Sequence, residues 1–150
     1  MPPDGVVTML APQTSPRATT RKSVLIVEDN PLNMKLFSAM IAAQGYRVLQ
    51  AADGLQGLDL AHRQHPDLII MDLQLPGISG LDATRQLKAD DATRDIKIIA
   101  TTAYALAGDE EHIWASGCDG YMAKPIAIGD FLELVDTLML REPQPEKCIA

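Results

Sequence analysis

Short apolar runs alternate five times with longer segments in which apolar residues recur every three or four positions. This alternation is typical of a parallel β-sheet with helices on both faces, because strands and helices expose their side chains with different periods. The pattern predicts five strands, at residues 24–27, 46–51, 68–71, 96–101 and 120–122. We therefore expect an α/β fold with one helix after each strand.

Residues that start and stop helices stand between these strands. Asn30 and Pro31 supply an N-cap and a first helical residue for the first helix, and Gly45 supplies its terminator. Asp53 is expected to cap the second helix, where Gln56 three residues later completes a capping-box pattern. The boundaries of both helices are therefore predicted from local chemistry.

The later helices are marked less sharply. The third is expected to start near Ser79 or Gly80, and the fourth to run from near Leu106 to Gly117. The fifth carries an apolar stripe at Ile128, Phe131, Leu132, Val135, Leu138 and Met139.

Strand composition predicts the order of the sheet. A strand covered on both faces reads as a continuous apolar run, whereas an edge strand is often mixed or short. The runs VLIV, LIIM and IKIIAT suit central positions, and YRVLQA and GYM suit edges. This gives the order 2-1-3-4-5 of a flavodoxin-like doubly wound sheet, in which ligands bind beyond the carboxyl ends of the strands.

The chain has 150 residues, 47% of them hydrophobic, which is enough for one domain with its own core. Residues 1–21 contain four prolines without sustained apolar periodicity, and residues 142–150 contain two more. We expect one domain at residues 22–141 between a flexible N-terminal tail, residues 1–21, and a flexible C-terminal tail, residues 142–150. A later translation start, for example at Met9, is the alternative.

Charge and composition exclude several classes of protein. A net charge of −7 would repel the phosphate backbone of a nucleic acid. Two unpatterned cysteines suit neither a disulfide framework nor a zinc site, and His62 and His65 lack further ligands, so we interpret them as surface histidines. Neither a membrane span nor a leader is visible. We therefore expect a cytoplasmic protein without nucleic-acid binding or membrane insertion.

Acidic residues follow two central strands at the edge where ligands are expected. Glu28 and Asp29 follow the first strand, and Asp72 follows the third. Crowded carboxylates repel one another, and a hard divalent cation with oxygen ligands relieves this repulsion. The sequence predicts a magnesium site in which Asp29 and Asp72 bind the ion directly and Glu28 acts through water.

A hydroxyl group and a cation are expected at the same edge. Thr101 and Thr102 close the fourth strand, and the fifth leads into Lys124 and Pro125. Together with an aspartate and a metal, these groups suit the transfer of a phosphoryl group to the aspartate. Each residue alone has a simpler interpretation, such as a helix cap for Asn30, but unrelated surface residues would scatter over both ends of the sheet.

The segments VLIVEDNPLN, DLIIMDLQLPGISG, ATTAYA and GYMAKPI resemble the sequence blocks of the response-regulator receiver family, whose fold is the CheY-like five-stranded sheet with five helices. The resemblance runs from about residue 23 to residue 141. EDNPLNMKLF, AQGY and GDEE are further similar to the DivK-type single-domain regulators. The resemblance implies a protein of a two-component phosphorelay.

The resemblance also implies roles at the acidic edge. Asp72 would accept the phosphoryl group, Glu28 and Asp29 would be the acidic pair, and the backbone carbonyl of Gln74 would be a further magnesium ligand. Glu28 replaces the second Asp of the commonest receiver pattern, which is a frequent variant.

Switching roles are implied for the last two strands. Thr102 would be the switch hydroxyl, Tyr121 the switch aromatic and Lys124 the phosphate-binding lysine, with a cis bond to Pro125. Partners would be sensor histidine kinases, as phosphodonor and phosphatase, and downstream proteins in cell-cycle and polarity control. A homodimer of the phosphorylated form is compatible with the resemblance. The only enzymatic activity that it implies is a weak autophosphatase activity.

Two other function classes use similar features. A phosphohydrolase of the haloacid-dehalogenase type would need an Asp-x-Asp pair where this chain has Glu28, Asp29 and Asn30. A receiver fold that acts without phosphorylation is the other alternative. The output is expected to be binding to other proteins in trans. Trp114 lies one position past Ile113 in the fourth helix and is expected to be partly exposed, where it either shields the neighbouring core or anchors a partner.

Overall fold

The computed structural model describes residues 22–103 and 109–140, in which five strands and five helices alternate. The strands are β1 (Ser23–Val27), β2 (Arg47–Ala51), β3 (Leu68–Asp72), β4 (Lys97–Thr102) and β5 (Gly120–Ala123). The helices are α1 (Pro31–Ala43), α2 (Gly54–Gln64), α3 (Gly80–Ala89), α4 (Asp109–Ala115) and α5 (Ile128–Leu140). The predicted α/β fold class is confirmed, and each predicted strand boundary lies within one residue of the observed one.

All five strands run parallel in one sheet, in the order β2-β1-β3-β4-β5. The order predicted from strand composition is therefore confirmed. Every residue of β1 and β3 is buried, whereas the edge strand β2 exposes Arg47 and Gln50. Because the strands all point the same way, their carboxyl ends form a single edge of the sheet.

Each face of the sheet carries its own apolar core, because successive side chains of a strand point to opposite faces. On one face α1 and α5 pack against the strands, and the ring centroids of Phe37 and Phe131 lie 5.3 Å apart. On the other face α2, α3 and α4 contribute Ala61, Leu87 and Ile113. The central strands are thus held from both sides, and the positions of their carboxyl ends are well determined.

Local signals set the helix ends as predicted. Asn30 accepts two backbone N–H bonds at the start of α1, and the chain leaves that helix through Gly45 at φ +92°. Asp53 accepts the N–H of Gln56 at 2.9 Å. The side chain of Gln56 returns to the N–H of Ala52, also at 2.9 Å, so the reciprocal bond forms one residue earlier than in the predicted capping box.

Two details of the later helices differ from the prediction. Helix α4 ends at Ala115, two residues before the predicted Gly117, and its predicted start near Leu106 lies outside the described residues. Ile128 is 59% exposed although it belongs to the predicted apolar stripe of α5. As the first residue of the helix, it stands at the rim of the sheet and lines a groove beside α1.

The expectations for the two tails, residues 1–21 and 142–150, and for a start at Met9 concern residues that the structure does not describe. They stay predictions, as do the domain limits at residues 22 and 141. Within residues 22–103 and 109–140, no helix combines the length and apolar character needed to cross a membrane.

The start of α3 passes very close to the end of β3. A Cβ atom at Gly80 would overlap the backbone carbonyl oxygen of Asp72, which cannot yield without moving the strand. We expect Gly80→Ala to lower the free energy of unfolding by about 1–3 kcal/mol, measured by urea denaturation.

The matched control is Gly129→Ala in α5, where a Cβ would meet no atom within 4 Å. This substitution should leave stability unchanged or raise it by up to about 1 kcal/mol, because alanine is the better helix former. Similar effects at the two positions would contradict the close approach of α3 to β3.

Candidate functional site

Polar and charged side chains from four strands meet at the carboxyl edge of the sheet. In the sheet register, Val27 of β1 lies beside Met71 of β3, and Asp72 lies beside Thr101 of β4. The side chains predicted for the site follow or close these strands. They are Glu28 and Asp29 after β1, Asp72 in β3, Thr102 in β4, and Lys124 after β5.

An acidic cluster is formed by Glu28, Asp29 and Asp72, whose nearest carboxylate oxygens all lie within 4.8 Å of one another. Glu28 and Asp72 are each only 3% exposed, whereas Asp29 is exposed to solvent. The backbone N–H of Asn30 donates to Glu28 Oε2 at 3.1 Å, and the N–H of Gln74 donates to Asp72 Oδ1 at 3.0 Å. The structure therefore brings the three predicted acidic residues into one cleft.

The ammonium group of Lys124 lies between the two buried carboxylates, 3.2 Å from Glu28 Oε1 and 3.3 Å from Asp72 Oδ2. Its peptide bond to Pro125 is cis. Burial raises the pKa of Glu28, and the charge of Asp72 raises it further, whereas the bonds from Asn30 and Lys124 lower it. Among the described residues, three clustered carboxylates against this one ammonium group leave the cleft with an excess of negative charge.

The donor set of this cleft suits a hard divalent cation. Such ions take oxygen ligands, and magnesium typically binds one or two carboxylates while it keeps several waters. The bonded oxygens of Glu28 and Asp72 each retain a second lone pair, and exposed Asp29 leaves a path for a hydrated ion. The carboxylates could therefore hold magnesium, whereas a role for the carbonyl of Gln74 rests on the family resemblance.

A side chain that the sequence did not single out joins the β3 and β4 ends. Gln74 Nε2 donates to Thr102 Oγ1 at 2.8 Å, and Gln74 Oε1 accepts the backbone N–H of Ala103 at 2.9 Å. Thr102 is 1% exposed, while Gln74 itself is exposed. Gln74 and Thr102 are 28 positions apart, so no local pattern signals this contact.

An aromatic pair links α4 to β5. The rings of Trp114 and Tyr121 meet edge to face, with centroids 6.3 Å apart and an interplanar angle of 74°. Trp114 is 49% exposed, which confirms its predicted partial exposure. The hydroxyl of Tyr121 is buried, so its ring spans from the protein interior to the indole at the surface.

His62 of α2 and His65, which caps the carboxyl end of that helix, do not share a site. Their Nε2 atoms contact different carboxylates, His62 with Asp90 at 2.7 Å and His65 with Asp95 at 3.1 Å. The hydrogen bond to Asp90 is the main cause that raises the pKa of His62. Both histidines are exposed, and the interpretation as surface residues holds.

Comparison with known proteins agrees with this geometry. The chain matches the model of the response regulator receiver domain over residues 24–136. It is 52% identical over 118 residues to the polar-differentiation response regulators DivK of Brucella ovis and Brucella anthropi, and each alignment covers 79% of this chain and 96% of the relative.

Solved structures give the same result. One of them is the receiver domain of the sensor histidine kinase PA1611 from Pseudomonas aeruginosa, described with a magnesium ion coordinated in its active site cleft. It is 39% identical to this chain with a TM-score of 0.74, and the match covers 79% of this chain and 98% of that one. The chemotaxis response regulator CheY4 of Vibrio cholerae, 24% identical with a TM-score of 0.74 and coverage of 79% and 98%, supports the fold alone.

These matches favour the receiver interpretation over a haloacid-dehalogenase type of phosphohydrolase. The order of the sheet, the acidic cluster at its carboxyl edge and the family match over residues 24–136 agree with one another. The chain belongs to the response regulator receiver family of two-component signalling proteins.

Proposed function

We propose that this protein is a single-domain response regulator that accepts a phosphoryl group on Asp72 and signals by phosphorylation-dependent binding to other proteins. The observation that carries the proposal is the position of Asp72, buried in an acidic cluster and contacted by Lys124 at 3.3 Å. The relatives named DivK support a single domain, because the alignment covers 96% of their length.

The chemistry asked of the chain is nucleophilic attack by a carboxylate. An oxygen of Asp72 attacks phosphorus while the bond between phosphorus and the donor's imidazole nitrogen breaks, and that nitrogen keeps the bonding electron pair. The other ring nitrogen already carries a proton, so the ring leaves as neutral imidazole. Lys124 Nζ would contact an oxygen of the transferred group, and its distance of 3.3 Å from Asp72 Oδ2 supports this role. The product is an acyl phosphate on Asp72.

Magnesium is the cofactor that we assign to the acidic cluster. Asp29, Asp72 and the backbone carbonyl of Gln74 would hold the ion, with Glu28 acting through water. When bound, magnesium neutralises charge on the transferring oxygens. Support comes from the spacing of the carboxylates and from the magnesium described in the Pseudomonas aeruginosa receiver domain.

Hydrolysis of the acyl phosphate would limit how long the signal lasts. This hydrolysis needs a positioned water molecule, and exposed Asp29 leaves the cleft open to solvent. We therefore assign a weak autophosphatase activity and no enzymatic activity on other substrates. Removal of the signal by a kinase acting as phosphatase completes the cycle.

Switching is assigned to Thr102 and Tyr121. A phosphoryl group on Asp72 would draw the hydroxyl of Thr102 toward it, and the ring of Tyr121 would move into the space that is left. Tyr121 packs against Trp114, so movement of one ring changes the surroundings of the other. The change would reach the surface formed by α4, β5 and α5.

The partner that supplies the phosphoryl group is assigned as a sensor histidine kinase. A groove of about 540 Å³ beside the cleft is lined by apolar side chains of α1 and of the start of α5, including Leu36, Met40 and Ile128. Lys124 belongs to the same lining. A helix of the kinase seated there would bring its phosphohistidine next to the acidic cleft.

The cellular role is assigned from the relatives. Their name, polar-differentiation response regulator, supports a role in cell polarity. Cell-cycle control and a cytoplasmic location are the further parts of the proposal. The phosphorylated form would bind downstream signalling proteins and is allowed to form a homodimer.

Magnesium should stabilise the protein through the acidic cluster. Because a ligand that binds only the folded state adds free energy of unfolding, each tenfold rise in magnesium above its Kd should add about 1.4 kcal/mol, seen as a rising Tm. Asp29→Asn should weaken this response, and Asp91→Asn, whose side chain is 90% exposed at the opposite end of the sheet, should keep it. A response unchanged in Asp29→Asn would remove that residue from the metal site.

Phosphorylation tests the proposed function directly. With acetyl phosphate and magnesium, the wild type should gain one phosphoryl group, measured by intact mass, and should gain none when magnesium is chelated. Asp72→Asn should gain none because it lacks the nucleophile, whereas Asp91→Asn should behave as the wild type. Labelling of Asp72→Asn at the wild-type level would show that another residue is the acceptor.

Trp114→Ala tests the output surface. If the exposed indole anchors a partner, affinity for the kinase or target should fall by about 2 kcal/mol, or roughly 30-fold, by calorimetry, while phosphorylation from acetyl phosphate stays unchanged. Leu55→Ala, which removes a 68% exposed side chain from α2 and so lies outside the surface formed by α4, β5 and α5, is the control. A loss of thermal stability with unchanged affinity would mean that Trp114 only packs against Tyr121.

A further inference from the structure

The end of β4 offers two groups that can donate to an anion, the hydroxyl of Thr102 and the backbone N–H of Ala103. One amide contacts both groups: Gln74 Oε1 accepts the N–H of Ala103 at 2.9 Å, and Gln74 Nε2 donates to Thr102 Oγ1 at 2.8 Å, which restrains the position of Oγ1 without using its hydroxyl hydrogen. The backbone N–H of Gln74 also donates to Asp72 Oδ1 at 3.0 Å. One residue therefore contacts the carboxylate of β3 with its backbone and the end of β4 with its side chain.

The carbonyl oxygen of this amide uses the same donor that a phosphoryl oxygen would use. A backbone N–H carries a single hydrogen, so the bond from Ala103 to Gln74 Oε1 competes with a bond to any other acceptor. Any movement of Thr102 Oγ1 toward Asp72 would lengthen the short bond that it accepts from Gln74 Nε2. Asp72 pairs with Thr101 in the sheet. A phosphoryl oxygen on Asp72 and Gln74 Oε1 would therefore both lie near the carboxyl end of β4.

We infer that the side chain of Gln74 is a latch that holds Thr102 and Ala103 in the unphosphorylated protein and has to release them when Asp72 carries a phosphoryl group. The inference rests on the proposed function, because it assumes that Asp72 is the acceptor. Gln74 is exposed, so its freed amide can bond to water after release. The latch is a positioning device, and it opposes phosphorylation without contacting the reacting atoms.

The expected effect of the latch can be derived from the net free energy of surface hydrogen bonds. Exchange of one or two such bonds for bonds to water changes an equilibrium constant by about 3- to 10-fold. Removal of the latch should therefore tighten binding of a phosphoryl group by about this factor. An effect of this size leaves the switch reversible and sets how readily it turns on.

The first measurement tests the contact itself. Exchange of the Ala103 amide hydrogen, followed by NMR, should be slowed in the wild type and at least about 3-fold faster in Gln74→Leu, because Ala103 is exposed once its bond is lost. Gln86→Leu, an equally conservative change at an exposed position of α3, should exchange as the wild type. Unchanged exchange in Gln74→Leu would overturn the latch.

The second measurement tests the consequence. Beryllofluoride, a stable mimic of a phosphoryl group on a carboxylate, is titrated with magnesium while the fluorescence of Trp114, the only tryptophan, is followed. Its Kd should fall by about 3- to 10-fold in Gln74→Leu and should stay unchanged in Gln86→Leu. Gln74→Asn, which keeps the amide but shortens its reach, should behave as Gln74→Leu.

The outcomes separate the latch from the function on which it rests. Binding that requires Asp72 but has the same or a higher Kd in Gln74→Leu overturns the latch and leaves the acceptor assignment intact. A wild type that binds no beryllofluoride, or that binds it equally well as Asp72→Asn, overturns the proposed function and the latch together.

Discussion

Two carboxylates, each only 3% exposed, share one ammonium group at the edge of the sheet, and the rest of the structure keeps them there. Burial and mutual repulsion both favour the protonated form, which is why the pKa of Glu28 is raised. The pair stays together because β1 and β3 are adjacent strands buried on both faces. The fold thereby keeps a region of negative electrostatic potential at this edge, which attracts cations.

The charge balance at this edge depends on few groups. Lys124 offsets part of the negative charge, and the cleft retains an excess of negative charge for a further cation. Addition or removal of a charged group would shift the balance among contacts of about 3 Å, and side chains could move while the sheet holds their backbone. A local charge event can therefore change side-chain positions without changing the fold.

The contacts that lead away from the cleft are of two kinds. Hydrogen bonds from Gln74 join β3 to the end of β4, where side chains are polar and can exchange partners with water. Packing joins β5 to α4 through Tyr121 and Trp114, where a change of ring position requires repacking of neighbours. In the proposed switch, the first kind would adjust the ease of switching, and the second would carry the change to the surface.

Strand positions, sheet order and most helix ends could be predicted because they depend on neighbours in sequence. Asn30, Gly45 and Asp53 act within a few residues, and buried strands show continuous apolar runs. The meeting of Glu28, Asp29 and Asp72 was also accessible, since parallel strands place their carboxyl ends at one edge. The proposed roles of Tyr121 and of the carbonyl of Gln74 came from family resemblance.

Only the tertiary structure decided the contacts between distant segments. The bonds of Gln74 to β4, the place of Lys124 between two carboxylates and the packing of Trp114 on Tyr121 depend on register and helix placement, which no local pattern encodes. Ile128 shows the same limit, because its helical spacing suited a buried stripe while its place at the rim left it 59% exposed. The sequence by itself determined which groups reach the edge of the sheet, and packing in three dimensions decided which of them touch.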